Sequence, residues 1–164
     1  GSAYLDFPLN QTYILPDFRR NQKELDKIRV TLDSITSNPD YEITGIYLTG
    51  YASPEGSYAQ NEVLSRDRTR ALRNYLLRRY SFPENLYHVD WRGEDWIGLK
   101  RLILLYGMPN EEQVLSIMEN YSVFEGREKR LMDLNNGKPY RYMMKHFFPE
   151  LRRVDYKITY KIIK

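Results

Sequence analysis

The sequence predicts an α/β fold, more closely an α+β sandwich in which a mixed sheet carries its helices on one face. Three observations point there. Stretches of strand period and helix period alternate along the 164 residues, the links around the central pair are short, and residues 153–162 alternate cleanly between apolar and polar. The expected order is strand, helix, strand, helix, strand, a helical insert over about 95–148, and a final strand. One domain over 3–164 accounts for the length, which is enough to bury a core without staples, and Gly1 with Ser2 reads as an expression scar.

Tyr4-Leu5-Asp6-Phe7-Pro8-Leu9 is a short strand candidate, with Pro8 favouring an edge or a strand end. The polar run from Asn10 to Asp17 leads into a helix whose apolar stripe is Leu25, Ile28, Leu32 and Ile35, and Ser37-Asn38-Pro39-Asp40 ends it. Ile46 and Leu48 then alternate with Tyr47 and Thr49 as a half-buried strand, closed by Gly50. The loop Tyr51-Ala52-Ser53-Pro54-Glu55-Gly56 is rich in turn formers, and Ser57 with Gln60 forms an S-x-x-Q capping box that starts the next helix. Its inward stripe reads Asn61, Leu64, Arg68, Ala71 and Tyr75, while Arg66, Arg70 and Arg73 fall on a solvated one. An arginine on an inward stripe is either a snorkelling or ion-paired structural residue or one that reaches a cleft.

After Ser81-Phe82-Pro83-Glu84-Asn85, the residues Tyr87, Val89 and Trp91 alternate as a strand. The insert follows as several short helices, one carrying Trp96, Leu99, Leu102, Ile103 and Tyr106. Another has Asn110 and Gln113 as a second capping box, a third ends at Asn136-Gly137, and the last carries Tyr140, Met143, Met144 and Phe147. Helical spacing and caps predict a folded insert rather than a loop. Val154, Tyr156, Ile158, Tyr160 and Ile162 share one face of the final strand.

The run G-Y-A-S-P-E-G followed by N-x-x-L-S-x-x-R resembles the signature of the OmpA-like peptidoglycan-binding domain, G-H-T-D-x-x-G with N-x-x-L-S-x-x-R-A after it. Gly50, Gly56, Asn61, Leu64, Ser65 and Arg68 sit on that pattern without a gap. Gly93-Glu94 lies where that family tends to carry a G-x-G-E turn, and Leu151-Arg152-Arg153-Val154-Asp155 resembles its N-R-R-V-E run. The segments that carry the resemblance lie near 4–36, 46–93 and 151–160, and the insert is outside them.

In that family the loop aspartate and the helix arginine grip the diaminopimelate of the peptidoglycan stem peptide. Here the aspartate position is Ser53. The resemblance therefore implies ligand-binding residues Ser53, Glu55, Asn61, Leu64, Arg68, Arg152 and Arg153, with Glu55 the nearest carboxylate to replace the missing acid. A neutral contact in place of a charge-assisted one costs about 1–2 kcal/mol, and Ser53→Asp is expected to strengthen binding. A strand-to-helix loop also offers backbone N–H groups to a carboxylate, and an arginine offers a bidentate grip, whatever the family.

Composition narrows the remaining classes. There is no cysteine, so neither disulfides nor thiolate metal sites are available. Catalytic signatures such as G-x-S-x-G, H-E-x-x-H or a glycine-rich phosphate loop are absent, so the chain reads as a non-enzyme with no cofactor. His88 and Asp90 share a strand face, but with His146 the only other histidine a metal site is not expected. Glu94-Asp95 reads as a solvated helix start. The net charge of +3 is small and interspersed, and the arginines of the motif helix scatter around it, so no nucleic-acid partner is expected. No apolar run spans a membrane.

Two functions follow from the resemblance. One is a periplasmic module that tethers an outer-membrane protein to the cell wall through the stem peptide. The other is the same fold with a lost or altered ligand, serving as a structural or assembly module of the cell envelope, with other envelope proteins meeting the insert.

Overall fold

Strand β2 (Tyr41–Ala52) is the axis of the fold, because it pairs on both sides: antiparallel with β4 (Arg153–Ile162) and parallel with β3 (Tyr87–Glu94). The computed structural model describes residues 1–7 and 12–163. Together with β1 (Ser2–Ala3), the strands form a mixed four-stranded sheet in the order β1-β4-β2-β3. Helix α1 (Asn21–Thr36) precedes β2, and helix α2 (Tyr58–Arg79) makes the crossover from β2 to β3 that a parallel pair requires.

Both helices cover the same face. Leu25, Ile28, Leu32 and Ile35 of α1, the stripe expected from spacing, are buried in one cluster with Leu72 and Leu76 of α2 and Ile46 and Leu48 of β2. The opposite face is open, with Tyr47 stacked on His88 at 4.6 Å and the Lys157 ammonium over Tyr47 at 5.6 Å. Strand alternation places Leu48 in the core and Tyr47 on the surface, as a period of two demands.

Two local expectations are corrected. The first strand is Ser2–Ala3, not a segment beginning at Tyr4; Pro8 to Gln11, at the end of the expected strand and the start of the polar run, lie outside the described residues. The reason is a competition for backbone N–H groups. Tyr4 N–H donates to Glu24 Oε1 at 2.9 Å and Asp6 N–H to Asn21 Oδ1 at 2.8 Å, so this stretch is tied to α1 rather than to a ladder. Asn21, fully buried, returns a bond from Nδ2 to Asp6 O at 2.8 Å.

The second correction concerns α2. Its buried residues are Asn61, Ser65, Thr69, Ala71, Leu72 and Leu76, whereas Leu64 is 38% exposed. Small hydroxyl residues, not leucine, face the sheet because helix and strand come very close at Gly50. A Cβ there would lie 1.8 Å from Thr69 Oγ1 and 2.5 Å from the Ser65 carbonyl oxygen. Ser65 Oγ then accepts from Gly93 N–H at 3.1 Å, so the motif's serine joins α2 to β3.

The insert is folded, as expected, into α3 (Trp96–Tyr106), α4 (Glu111–Asn120), α5 (Arg127–Asp133) and α6 (Lys138–His146). It has its own core, in which Leu99, Ile103, Val114, Leu131, Met143 and Phe148 are buried. The cap at Ser57 forms, with its hydroxyl accepting from Gln60 N–H at 3.4 Å. The second capping box does not. Asn110 sits at φ 56, in the left-handed region, makes no side-chain cap, and its amide donates instead to the Gln113 side chain. In the insert it is α3 that has a side-chain cap, Asp95, whose Oδ1 accepts from Gly98 N–H at 2.9 Å. Among the described residues no helix is long and apolar enough to cross a membrane.

Candidate functional site

The motif loop lies between the end of β2 at Ala52 and the start of α2 at Tyr58, on the side of the sheet from which β4 starts. Ser53 is buried beneath Arg152. Arg152 Nη1 donates to Ser53 Oγ at 3.3 Å and to Glu55 Oε1 at 2.8 Å, the latter an ion pair. Asn61 Nδ2 donates to Glu55 O at 2.7 Å and to Glu94 Oε2 at 2.8 Å, so it closes the loop over the helix N-terminus. Gly56, at φ 83, is in a conformation that favours glycine, and its N–H donates to Glu128 Oε2 of α5 at 3.1 Å. The insert thus holds the motif loop from outside.

Arg68 projects from α2 to the other side of Arg152, where a cleft of about 470 Å³ is lined by Tyr4, Asp6, Phe7, Arg19, Arg20, Arg68 and Arg152, among others. Its guanidinium lies 5.5 Å over the Phe7 ring. Arg68 forms no ion pair among the described residues, unlike Arg152 or Arg153. Burial pushes its pKa below the ordinary arginine value, the Arg152 charge pushes the same way, and Asp6 opposes them. Arg68 thus borders the cleft and packs on Phe7 at the same time.

The candidate residues therefore separate into three sets. Arg68 and Arg152 share the cleft; Ser53 and Glu55 contact Arg152 from behind and are not on the cleft wall. Asn61 is engaged in the loop, and Leu64 faces solvent. Arg153 goes elsewhere: it pairs with Asp95 at 2.8 Å and Asp155 at 3.0 Å, lies 4.1 Å over the Tyr51 ring, and borders a second cleft with Trp96 and Arg92. Of Ser53 and Arg68, which the resemblance implies contact one ligand, only the arginine borders the cleft, and an aspartate at 53 would meet Arg152 first. Glu94 and Asp95 are also not a solvated pair. Asp95 is buried, and Glu94 accepts from Asn61 and from Trp96 Nε1 at 3.0 Å, with burial raising its pKa against those two bonds.

Sequence reasoning missed Tyr4, Asp6, Arg19 and Arg20 as cleft residues and Glu128 as a support of the loop. The arginines precede α1 with no motif spacing to mark them, and Glu128 comes within reach only through the packing of the insert. Among the described residues no three metal-ligating side chains come together.

Gly50, Asn61, Ser65 and Arg68 lie together on one strand–loop–helix unit, from β2 to α2. No family model matches the chain. It is 39% identical over 49 residues to Outer membrane protein 41 of Porphyromonas gingivalis, a match that covers 30% of this chain and 12% of that protein. Two solved structures align with it along most of its length. The peptidoglycan-associated lipoprotein from Burkholderia pseudomallei has a TM-score of 0.49 and 14% identity, covering 96% of this chain and 89% of that one. The OmpA-like domain of FopA1 from Francisella tularensis subsp. tularensis SCHU S4 has a TM-score of 0.46 and 12% identity, covering 98% and 71%.

Proposed function

We propose that this chain is a non-catalytic module of the cell envelope that binds the peptidoglycan stem peptide in the Arg68 cleft and so tethers an outer-membrane protein to the wall at its periplasmic face. The observation that carries the reading is Arg68 itself. It is the motif arginine, it borders a cleft, it has no acidic partner among the described residues, and burial beside Arg152 leaves its charge poorly compensated. Such a guanidinium is disposed to take a carboxylate in a bidentate grip. The short match to an outer membrane protein supports the envelope setting.

The assembly reading has its own observation, the exposed apolar residues Ile97, Leu104 and Leu105 on α3. Co-sedimentation with purified sacculi separates the two readings. The tethering reading predicts that the chain pellets with sacculi and that replacing Ile97, Leu104 and Leu105 by serine leaves the pelleted fraction unchanged. A chain that stays in the supernatant sinks the tethering reading and leaves the insert surface as the functional one.

A further inference from the structure

We infer that the outward face of α3 rests on a lipid bilayer with anionic headgroups, an interaction separate from the Arg68 cleft. Ile97, Lys100, Arg101, Leu104 and Leu105 fall at i, i+3, i+4, i+7 and i+8, the spacing of one helical face. Such a face ordinarily meets a core, yet α3 already has one on its other side, where Leu99 and Ile103 are buried in a cluster with Val114 and Met143. The outward apolar side chains stand free: Ile97 is 77%, Leu104 61% and Leu105 67% exposed. Aromatic residues bracket the helix, Trp96 at its start and Tyr106, 70% exposed, at its end. Amphipathic rings of this kind settle where an apolar layer meets water.

The charges decide what covers this face. Lys100 and Arg101 lie in the middle of it and have no carboxylate within 4.0 Å among the described residues. Arg101 and Ile97 also border a cleft of about 620 Å³ with Tyr51, Arg92 and Trp96, so guanidinium groups and the apolar face are continuous. The carboxylates of that cleft are engaged: Asp95 and Asp155 pair with Arg153, and Glu94 accepts from Asn61 and Trp96. Arg92 pairs with Asp90 on the exposed surface, a contact of little worth. Cations beside free apolar side chains suit a phosphate layer over hydrocarbon, where their stems lie along the apolar groups and their charges reach the headgroups. A second copy of the chain is a poor occupant, because a two-fold contact centred on this face brings Lys100 and Arg101 onto their own copies. A protein partner would have to desolvate both cations and supply an acid for each.

Flotation of the full chain with lipid vesicles tests this, using phosphatidylcholine alone and phosphatidylcholine mixed with phosphatidylglycerol. The chain is expected to float with the mixed vesicles, to bind the neutral ones far more weakly, and to be released by salt. Lys100→Gln/Arg101→Gln should lower the affinity for mixed vesicles about thirtyfold, the combined worth of two cations at an anionic surface. Ile97→Ser/Leu104→Ser/Leu105→Ser should abolish flotation, with a urea curve matching that of the parent because all three side chains are exposed. Equal flotation with both kinds of vesicle, flotation with neither, or folded variants that float like the parent would each overturn the inference. So would a chain that ignores vesicles but forms a dimer in solution that the triple serine variant dissolves, in favour of a second copy. Arg68→Ala should float like the parent, and a loss there would move the contact to the Arg68 cleft and overturn the inference too. No sacculi enter the assay, so its outcome and that of wall binding are told apart.

Discussion

The sandwich and the insert each have a buried core, but they are held by different means. In the sandwich, backbone ladders along β2 fix the register, and Leu32, Ile46, Leu48 and Leu72 pack onto a frame that the hydrogen bonds have already defined. The insert has no ladder. Its short helices are oriented by side chains such as Leu99, Ile103, Met143 and Phe148, with left-handed residues at Asn110, Gly126 and Gly137 making the corners. Among the polar contacts that join the regions beside the motif loop are the buried Asp95–Arg153 pair, the bond from Asp95 N–H to Ala52 O and the Gly56–Glu128 bond. The insert is thus attached where the candidate site is, and its attachment supports the loop.

The sharpest way to break this comparison is to remove a joint or a core of one region and ask whether the other survives. Phe148→Ala opens the insert core and should cost about 3–5 kcal/mol. Amide exchange in that variant should accelerate in α3 to α6 while β2 and β4 stay protected; equal acceleration in the sheet would show a single core. Asp95→Ala removes both the α3 cap and one of the two carboxylates paired with a nearly buried arginine, and should cost about 2–4 kcal/mol, a cap and a charged hydrogen bond being lost while Asp155 still faces the guanidinium. Urea denaturation measures it.

Gly50→Ala probes the sandwich alone. The added methyl would overlap Thr69 and the Ser65 carbonyl, so a loss of about 1–3 kcal/mol in urea is expected, with α2 shifted off the sheet. A neutral outcome would mean that the close approach of helix and strand is not what requires glycine there.

The smallest effect is a pH dependence at the joint. Burial raises the Glu128 pKa, the nearby Glu94 adds to it, and the bonds from Gly56 N–H and Tyr140 oppose it. Glu94 is itself raised, first by burial. A carboxyl raised in the folded state contributes stability that is fully present below the unfolded value, and that stability is lost as pH rises through the folded value. The melting temperature should therefore fall slightly as pH climbs from 4.5 through the raised values, and Glu128→Gln should flatten that slope. A slope unchanged in the variant would remove Glu128 from the account.

Much of the sandwich was legible in the sequence because one physical rule dominates each element. Strand alternation marks Ile46 and Leu48, helical spacing marks Leu25 to Ile35, and Ser57 caps α2 through local geometry. What was not legible depends on close approach or distance in sequence. The inward face of α2 carries Ser65 and Thr69 because Gly50 admits them, and a hydrophobic pattern selects Leu64 instead. Ser2–Ala3 is the first strand because buried Asn21 and Glu24 take the N–H groups that follow. In the site, the motif spacing located Arg68, while Arg19, Arg20 and Asp6 come to the cleft by folding alone. Arg152 and Arg153 look equivalent in sequence, yet they serve different clefts.

The central claim is that Arg68 is available to a wall ligand rather than spent on the fold. The most direct test is the affinity of Arg68→Ala for purified sacculi, measured by co-sedimentation across protein concentrations beside a urea curve of the same variant. The account predicts a loss of at least about tenfold in affinity, as befits a bidentate charged contact, with stability close to that of the parent chain. Unchanged affinity, or a variant whose lost binding is matched by lost folding, would contradict it.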